Sequence, residues 1–123
     1  MSNGYRNLKV WITAMDLVEG CYRATGAFPR EEMYGLTSQI RRAACSIPAN
    51  IAEGHCRRTT KAFANHVSIA LGSHGELETS LEIAARLGFL STTRKNEIMS
   101  NCDSVGRMLN GLYGSLERKM LGS

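Results

Sequence analysis

Five cationic side chains near the middle of the chain offer the clearest chemistry in the sequence. They are Arg41, Arg42, Arg57, Arg58 and Lys61. Residues 41–61 carry these five cations and one carboxylate, Glu53, so this segment has a net charge of +4, as large as that of the whole chain. Arginine and lysine make charge-assisted contacts to phosphate oxygens without reading bases. The segment therefore predicts a binding surface for a nucleic acid or for a complementary acidic face.

The same cations have a structural interpretation that the sequence leaves open. Residues 62–90 have a net charge of −2, from Glu76, Glu78 and Glu82 against Arg86. The arginines could instead form salt bridges to Glu53 and to this acidic segment. Phe63 is the aromatic residue that follows the cations closely in sequence. That scarcity favours contact with the phosphate backbone over stacking on single-stranded bases.

The histidines and cysteines form no catalytic or metal-binding pattern. The four cysteines lack a C-x-x-C pair, and His55-Cys56 lacks the second closely spaced pair that zinc sites usually have. Helical-bundle ribonucleases of the HEPN type use an Arg-x4–6-His pair, and the nearest match is Lys61-x4-His66. Lysine cannot offer the planar fork of a guanidinium to a phosphate. We therefore expect no enzymatic activity, no metal and no cofactor.

His74 lies on an apolar stripe of its segment. A hydrogen-bonded histidine in the core or an interface is the expected role, with a pH-sensitive packing switch as the alternative. Gly72 and Gly75 flank it, and each costs about 1 kcal/mol relative to alanine in a helix. These small residues predict a close approach between two helices.

Helices must position these side chains, because apolar residues recur at steps of three and four in four segments. We expect one domain with helices at about residues 8–25, 31–54, 60–87 and 94–119. Short connections between them predict an all-α, antiparallel up-down-up-down four-helix bundle. Pro48 removes a backbone donor inside the second segment, so we expect a kink there, or a break with Ser46 as cap.

The first helix is apolar around a wider arc than one bundle can bury. One stripe contains Leu8, Trp11, Met15, Val18 and Tyr22. Flanking apolar positions include Val10, Ala14, Leu17 and Cys21. The combined arc is roughly 200°, where about 100° suits a helix that buries one face. With the first stripe assigned to the core, the four flanking residues are the predicted oligomer interface.

The sequence predicts a cytoplasmic protein without contact to a membrane. The first residues lack the apolar core of a signal peptide, and no apolar run approaches the roughly 18 residues needed to span a bilayer. The scattered cysteines are consistent with a reducing compartment.

Three blocks of the sequence resemble a known family. They read F-P-R-E-E-M-Y-G-L-T-S-Q-I-R-R-A-A-C-S-I-P-A-N-I-A-E-G, then R-R-T-T-K-A-F, then I-A-L-G-S-H-G-E-L-E-T-S-L-E-I-A-A-R-L-G-F-L. They are similar to the four-helix bundle proteins encoded in 23S rRNA intervening sequences, from about residue 11 to 90. The resemblance implies an antiparallel bundle that assembles as a homopentamer and has no established enzymatic chemistry. Relatives include accessory proteins of diversity-generating retroelements, which bind nucleic acid and a reverse transcriptase.

Two functional hypotheses follow. The first is a non-enzymatic, homo-oligomeric nucleic-acid-binding protein, with a pentamer and RNA favoured, whose basic cluster contacts backbone phosphates. The second is an interaction scaffold or accessory subunit that docks onto a reverse transcriptase or another enzyme, with the basic residues serving assembly.

Overall fold

The computed structural model describes residues 4–122 and contains four long α-helices. The helices are α1 (Lys9–Thr25), α2 (Leu36–Cys56), α3 (Thr60–Arg86) and α4 (Thr92–Leu121), with 3-10 turns at Gly4–Asn7 and Arg30–Glu32. Each helix packs against its two neighbours around the bundle, in the order α1, α2, α3, α4 and back to α1. The prediction of an all-α four-helix bundle is confirmed. No helix in the described part of the chain combines the length and apolarity needed to cross a membrane.

Local capping explains where α3 and α4 begin and where α3 ends. The hydroxyl of Thr59 accepts a hydrogen bond from the backbone N–H of Ala62 at 3.1 Å, and Ser91 caps α4 in the same way. Gly88 follows α3 with φ +80°, and the N–H of Phe89 donates to the carbonyl of Ala84 at 2.9 Å. This is the left-handed glycine cap that satisfies carbonyls at a helix end.

The second helix begins five residues later than predicted. Residues 30–32 form a 3-10 turn, and α2 starts at Leu36. The carboxylate of Glu32 accepts a hydrogen bond from the Leu36 N–H at 3.2 Å. Glu32 therefore caps α2 from outside, instead of lying in its first turn.

The second helix also continues through Pro48 without a break. Ser46 is not a cap, because it lies in the middle of the helix and its hydroxyl pairs with that of Ser73 at 2.8 Å. Pro48 itself is buried. The packing of α2 against its neighbours holds the helix together across the missing backbone donor.

The core confirms three of the four predicted apolar stripes. Most predicted positions on α2, α3 and α4 are buried, including Ile40, Ile47, Ile51, Val67, Leu77, Leu81, Cys102, Val105 and Leu109. Met33 departs from its stripe, since it lies before α2 and its side chain is exposed.

The first helix buries the flanking stripe more deeply than the predicted one, of which Leu8, Trp11 and Val18 are partly buried against the core. Val10, Ala14, Leu17 and Cys21 are 6%, 0%, 1% and 0% exposed within the single chain, so these predicted interface residues belong to its own core. Met15 and Tyr22 are instead 39% and 45% exposed. Both stripes repeat at steps of three and four, so their periodicity does not decide between them. The bundle takes the stripe with the smaller side chains inside, where four helices meet closely.

Candidate nucleic-acid interface

The fold divides the five predicted cations into two groups. Arg41 and Arg42 lie in the second turn of α2, whereas Arg57, Arg58 and Lys61 lie around the α2–α3 connection. Sixteen residues of helix separate Arg41 from Arg57, which corresponds to roughly 24 Å along α2. The predicted cluster is therefore two separate surfaces.

The group at the α2–α3 connection surrounds the start of α3. Arg57 donates a hydrogen bond to the Glu53 carboxylate at 2.7 Å, and this bond, with His66 nearby, lowers the pKa of Glu53. Arg58 and Lys61 are exposed and make no ion pair within the described residues. The free N–H groups at the start of a helix carry a partial positive charge. This end of the bundle therefore offers two unpaired cations beside a helix N-terminus, an arrangement that suits phosphates.

Arg41 is held firmly against α1. Its Nε donates to the Thr25 hydroxyl at 2.8 Å, and its guanidinium carbon lies 4.5 Å from the centroid of the Tyr22 ring. The Thr25 hydroxyl in turn donates to the Cys21 carbonyl at 2.7 Å. Arg41 thus ties α2 to α1 through Thr25 and Tyr22, which is a structural role different from the salt bridges to Glu53 and the acidic segment that the sequence left open.

Arg42, the next residue, has a different environment. Its side chain is exposed and makes no ion pair or hydrogen bond to another described residue. It borders a cavity of about 460 Å³ whose lining also contains Tyr22, Tyr34 and Arg41. The remaining lining residues are Met33, Thr37, Ser38 and Cys45.

This cavity corrects the expectation that aromatic side chains are scarce near the cations. Tyr34 is 97% exposed in the turn before α2, and it shares the cavity with Arg42. Tyr34 precedes Arg42 by eight residues, or about two turns if the spacing is treated as helical. This spacing indicates that the two side chains can lie close together. The expectation of few aromatic neighbours took only Phe63 into account.

An apolar groove lies between α1 and α2 and adjoins the cavity. It has a volume of about 290 Å³ and no charged residue in its lining. The lining consists of Tyr5, Trp11, Met15, Val18, Cys45, Pro48, Ala49 and Ala52. Cys45 lines both the groove and the cavity, so the two form one continuous face.

A chain of polar side chains crosses the contact between α2 and α3. The hydroxyls of Ser46 and Ser73 pair at 2.8 Å, and the Asn50 amide donates to the Ser46 carbonyl at 2.9 Å. The Asn50 carbonyl accepts from Nδ1 of His66 at 3.0 Å. The opposite nitrogen of His66 lies 3.7 Å from the Glu53 carboxylate. Sequence reasoning missed this network, although Ser46, Asn50 and Glu53 have the spacing of one helix face.

These contacts give His66 a structural role. Its Nδ1 proton is used by Asn50, and Lys61 lies five residues away, on a different side of α3. No group of three or more potential metal ligands occurs within residues 4–122.

His74 packs against α4 as a hydrogen-bonded histidine. Its Nε2 donates to the Cys102 carbonyl at 2.7 Å, and Nδ1 lies 3.5 Å from the Glu78 carboxylate. The close helix approach here comes from Gly106, where an added Cβ would lie 2.8 Å from the imidazole. The predicted close approach at Gly72 and Gly75 is wrong, because a Cβ at either position would meet nothing within 4 Å.

Comparison with known proteins identifies the family of this four-helix bundle. The family model of the 23S rRNA-intervening sequence proteins matches residues 6–111. The chain belongs to this family. Within this 23S rRNA-intervening sequence protein, the matched span contains the α2–α3 polar network and both cationic groups.

A solved structure supports the fold. A protein of unknown function from the S23 ribosomal protein family of Bacteroides thetaiotaomicron aligns with a TM-score of 0.79 and 21% identity. The alignment covers 85% of this chain and 95% of that chain. At this identity the likeness shows the fold alone. No curated protein matches the sequence.

Proposed function

We propose that this chain is a non-enzymatic, homo-oligomeric RNA-binding protein that contacts backbone phosphates. The observation that carries the proposal is the pair Arg58 and Lys61, exposed and without an ion pair in the described chain, at the N-terminal end of α3. Cations with a structural role instead form ion pairs within the chain, as Arg57 does with Glu53. Unpaired cations beside a helix N-terminus attract phosphate through charge and through free N–H groups.

RNA is favoured over DNA by the family name, which refers to 23S rRNA. Contact through the backbone agrees with the exposure of Arg58 and Lys61 at the start of α3, where both cations can reach phosphate oxygens. Such contacts carry little sequence information.

Self-association would make weak phosphate contacts effective. The α1–α2 groove leaves Met15 exposed beside Trp11 and Val18, and no charged residue lines it. Apolar surface of this kind is buried when copies associate. A second copy is the proposed occupant, in the homopentamer that the resemblance implies. Repeating the cationic ends on one particle multiplies affinity through avidity.

A charge-reversal experiment tests phosphate binding. We expect the double variant Arg58→Glu/Lys61→Glu to fold normally, because both side chains are exposed and unpaired. Its affinity for a single-stranded RNA should fall at least about tenfold, and the slope of log K against log salt should shrink by about 1.4, or 0.7 for each lost phosphate contact. Fluorescence anisotropy over a salt series measures both.

The matched control is Arg94→Glu/Arg107→Glu. It changes the net charge by the same amount at two exposed positions on α4. This control should bind RNA nearly as well as the unmodified protein. Equal losses in the two variants would mean that total charge, and not the α2–α3 end, governs binding, and the proposal would be wrong.

Arg41 supports a second candidate function. Because its guanidinium is occupied by Thr25 and Tyr22, this predicted nucleic-acid contact serves the α1–α2 pairing. The groove beside it could then receive a partner enzyme such as a reverse transcriptase, with the chain acting as an accessory subunit. In that case Arg41→Glu would disrupt assembly, seen as a loss of mass in light scattering, while Arg58→Glu/Lys61→Glu would leave partner binding intact.

A further inference from the structure

We propose that the cavity between Tyr34 and Arg42 is a subsite for one unpaired nucleotide, with the base stacked on Tyr34 and its phosphate bound by Arg42. The inference rests on the proposed RNA-binding function and adds a preference for single-stranded RNA. It concerns a surface separate from the Arg58 and Lys61 end.

Tyr34 is presented to solvent by a well-ordered turn. The N–H of Met33 donates to the Arg30 carbonyl at 3.1 Å, and the N–H of Gly35 donates to the Glu32 carbonyl at 3.0 Å. The Glu32 carboxylate then caps α2 through Leu36. These bonds fix the backbone on both sides of Tyr34, while its ring remains 97% exposed. An aromatic ring held in this way can stack on a base of any identity.

The two adjacent arginines have different roles in the cavity. Arg41 is fixed by Thr25 and lies over the Tyr22 ring, so it forms a rigid cationic wall of the cavity. Arg42 has no internal partner among the described residues, and its guanidinium is free to bind a phosphate. No carboxylate lines this cavity, and Glu76 lines a second pocket on the other side of Arg42.

The size and polarity of the cavity suit a single nucleotide. Its volume of about 460 Å³ falls within the roughly 300–1,000 Å³ of small-ligand sites. Ser38 lines it, and the hydroxyl of this residue can bond to the edge of a base. A base within a duplex is already stacked and cannot enter, so the subsite selects unpaired RNA.

Variants of Tyr34 test the proposal against two RNA ligands. The probes are a fluorescein-labelled 12-nucleotide single strand and the same strand annealed to its complement. We expect Tyr34→Ala to weaken single-strand binding by about fivefold or more, the low end of the effect of removing one stacked base. Tyr34→Phe keeps the ring and should bind within about twofold of the unmodified protein. Duplex binding should change little in either variant, because phosphate contacts elsewhere carry it.

Ile69→Ala is the matched control, since Ile69 is an exposed apolar side chain on α3 that does not line the cavity. It should leave single-strand affinity unchanged. An unchanged affinity in Tyr34→Ala, or equal losses on both ligands, would overturn the subsite while leaving the proposed RNA-binding function in place. A changed particle mass for Tyr34→Ala in light scattering would also overturn it, because a second copy would then cover the ring. Failure of the unmodified protein to bind either RNA would reject the proposed function itself.

Discussion

At the scale of single residues, the segment from Ser46 to Glu53 organises the contact between α2 and α3. Asn50 joins Ser46 on its own helix to His66 on the next, and Glu53 lies close to the far side of the same imidazole. A partly buried histidine with both nitrogens near partners fixes the register of two helices more sharply than apolar packing does. The conspicuous sequence from Ser46 to Gly54 therefore contributes mainly to architecture.

Burial also sets the chemistry of the thiols. Burial raises the pKa of Cys21 and of Cys102 to about 12, from 9.0 in the unfolded chain. Above pH 9 the unfolded state releases these protons and the folded state keeps them, so the unfolded state binds fewer protons and stability falls as pH rises from 9 towards 12. Each thiol contributes a slope of up to about 1.4 kcal/mol per pH unit.

Urea unfolding under reducing conditions, at a series of pH values between about 8 and 10, measures that slope. Cys102→Ala should make the loss of stability with pH shallower, whereas Cys56→Ala, which removes an exposed thiol, should leave it unchanged. An equal slope in both variants would contradict the assignment to buried thiols.

At the scale of the elements, the helices could be predicted from sequence and the inward face of α1 could not. Periodicity located all four segments, and the side chains of Thr59 and Ser91 cap two of their starts in the structure. On α1, two interleaved apolar stripes satisfy the same periodicity, and only packing against α2 and α4 selects the one with Ala14 and Leu17. The same uncertainty assigned four core residues of α1 to the predicted interface.

Only part of the candidate site could be predicted from the sequence. All five cations could be named from the sequence, but the 24 Å or so between the two groups follows from α2 being one uninterrupted helix. The pairing of Arg41 with Thr25 depends on a contact between helices that no local pattern encodes. Tyr34 gave a usable signal through its spacing to Arg42.

Glycine positions give a direct test of helix approach. A Cβ at Gly54 would lie 2.7 Å from the His66 Cβ and 3.0 Å from the Phe63 ring. We expect Gly54→Ala to destabilise the fold by about 1–3 kcal/mol through overpacking, despite the better helix propensity of alanine. Gly72→Ala, with open space around the new Cβ, should instead stabilise by about 0.4–1 kcal/mol.

Thermal or urea unfolding of the two alanine variants provides the comparison. The two substitutions should change the free energy of unfolding in opposite directions, although both replace a glycine in a helix interior. The sign of each change is therefore the decisive result. Stabilisation by Gly54→Ala would show that α2 and α3 can separate at that point without loss.

At the scale of the whole molecule, the prediction concerns the proposed self-association through the α1–α2 groove. Met15→Glu places a charge among the uncharged lining residues and should shift the protein towards monomers at micromolar concentration. Ile12→Glu is the matched control, because Ile12 is 47% exposed on the same helix and does not line the groove. It should leave the particle mass unchanged.

Size-exclusion chromatography with light scattering distinguishes the two variants. Circular dichroism should show the same helix content in both, since neither side chain belongs to the core. If the unmodified protein were monomeric, the proposal of self-association through the groove would be wrong. A different partner would then have to cover the wide apolar arc of α1.

Cys45 lies on the wall shared by the cavity and the groove, so nucleotide entry and self-association would both act on the same segment of α2. If copies of the chain meet in the groove and a nucleotide enters the cavity, a shift of α2 that favours one event must alter the free energy of the other by the same amount. The ligand would then act as an effector of particle size, and particle size as an effector of ligand affinity. Cys45 is the residue at which the two sites meet.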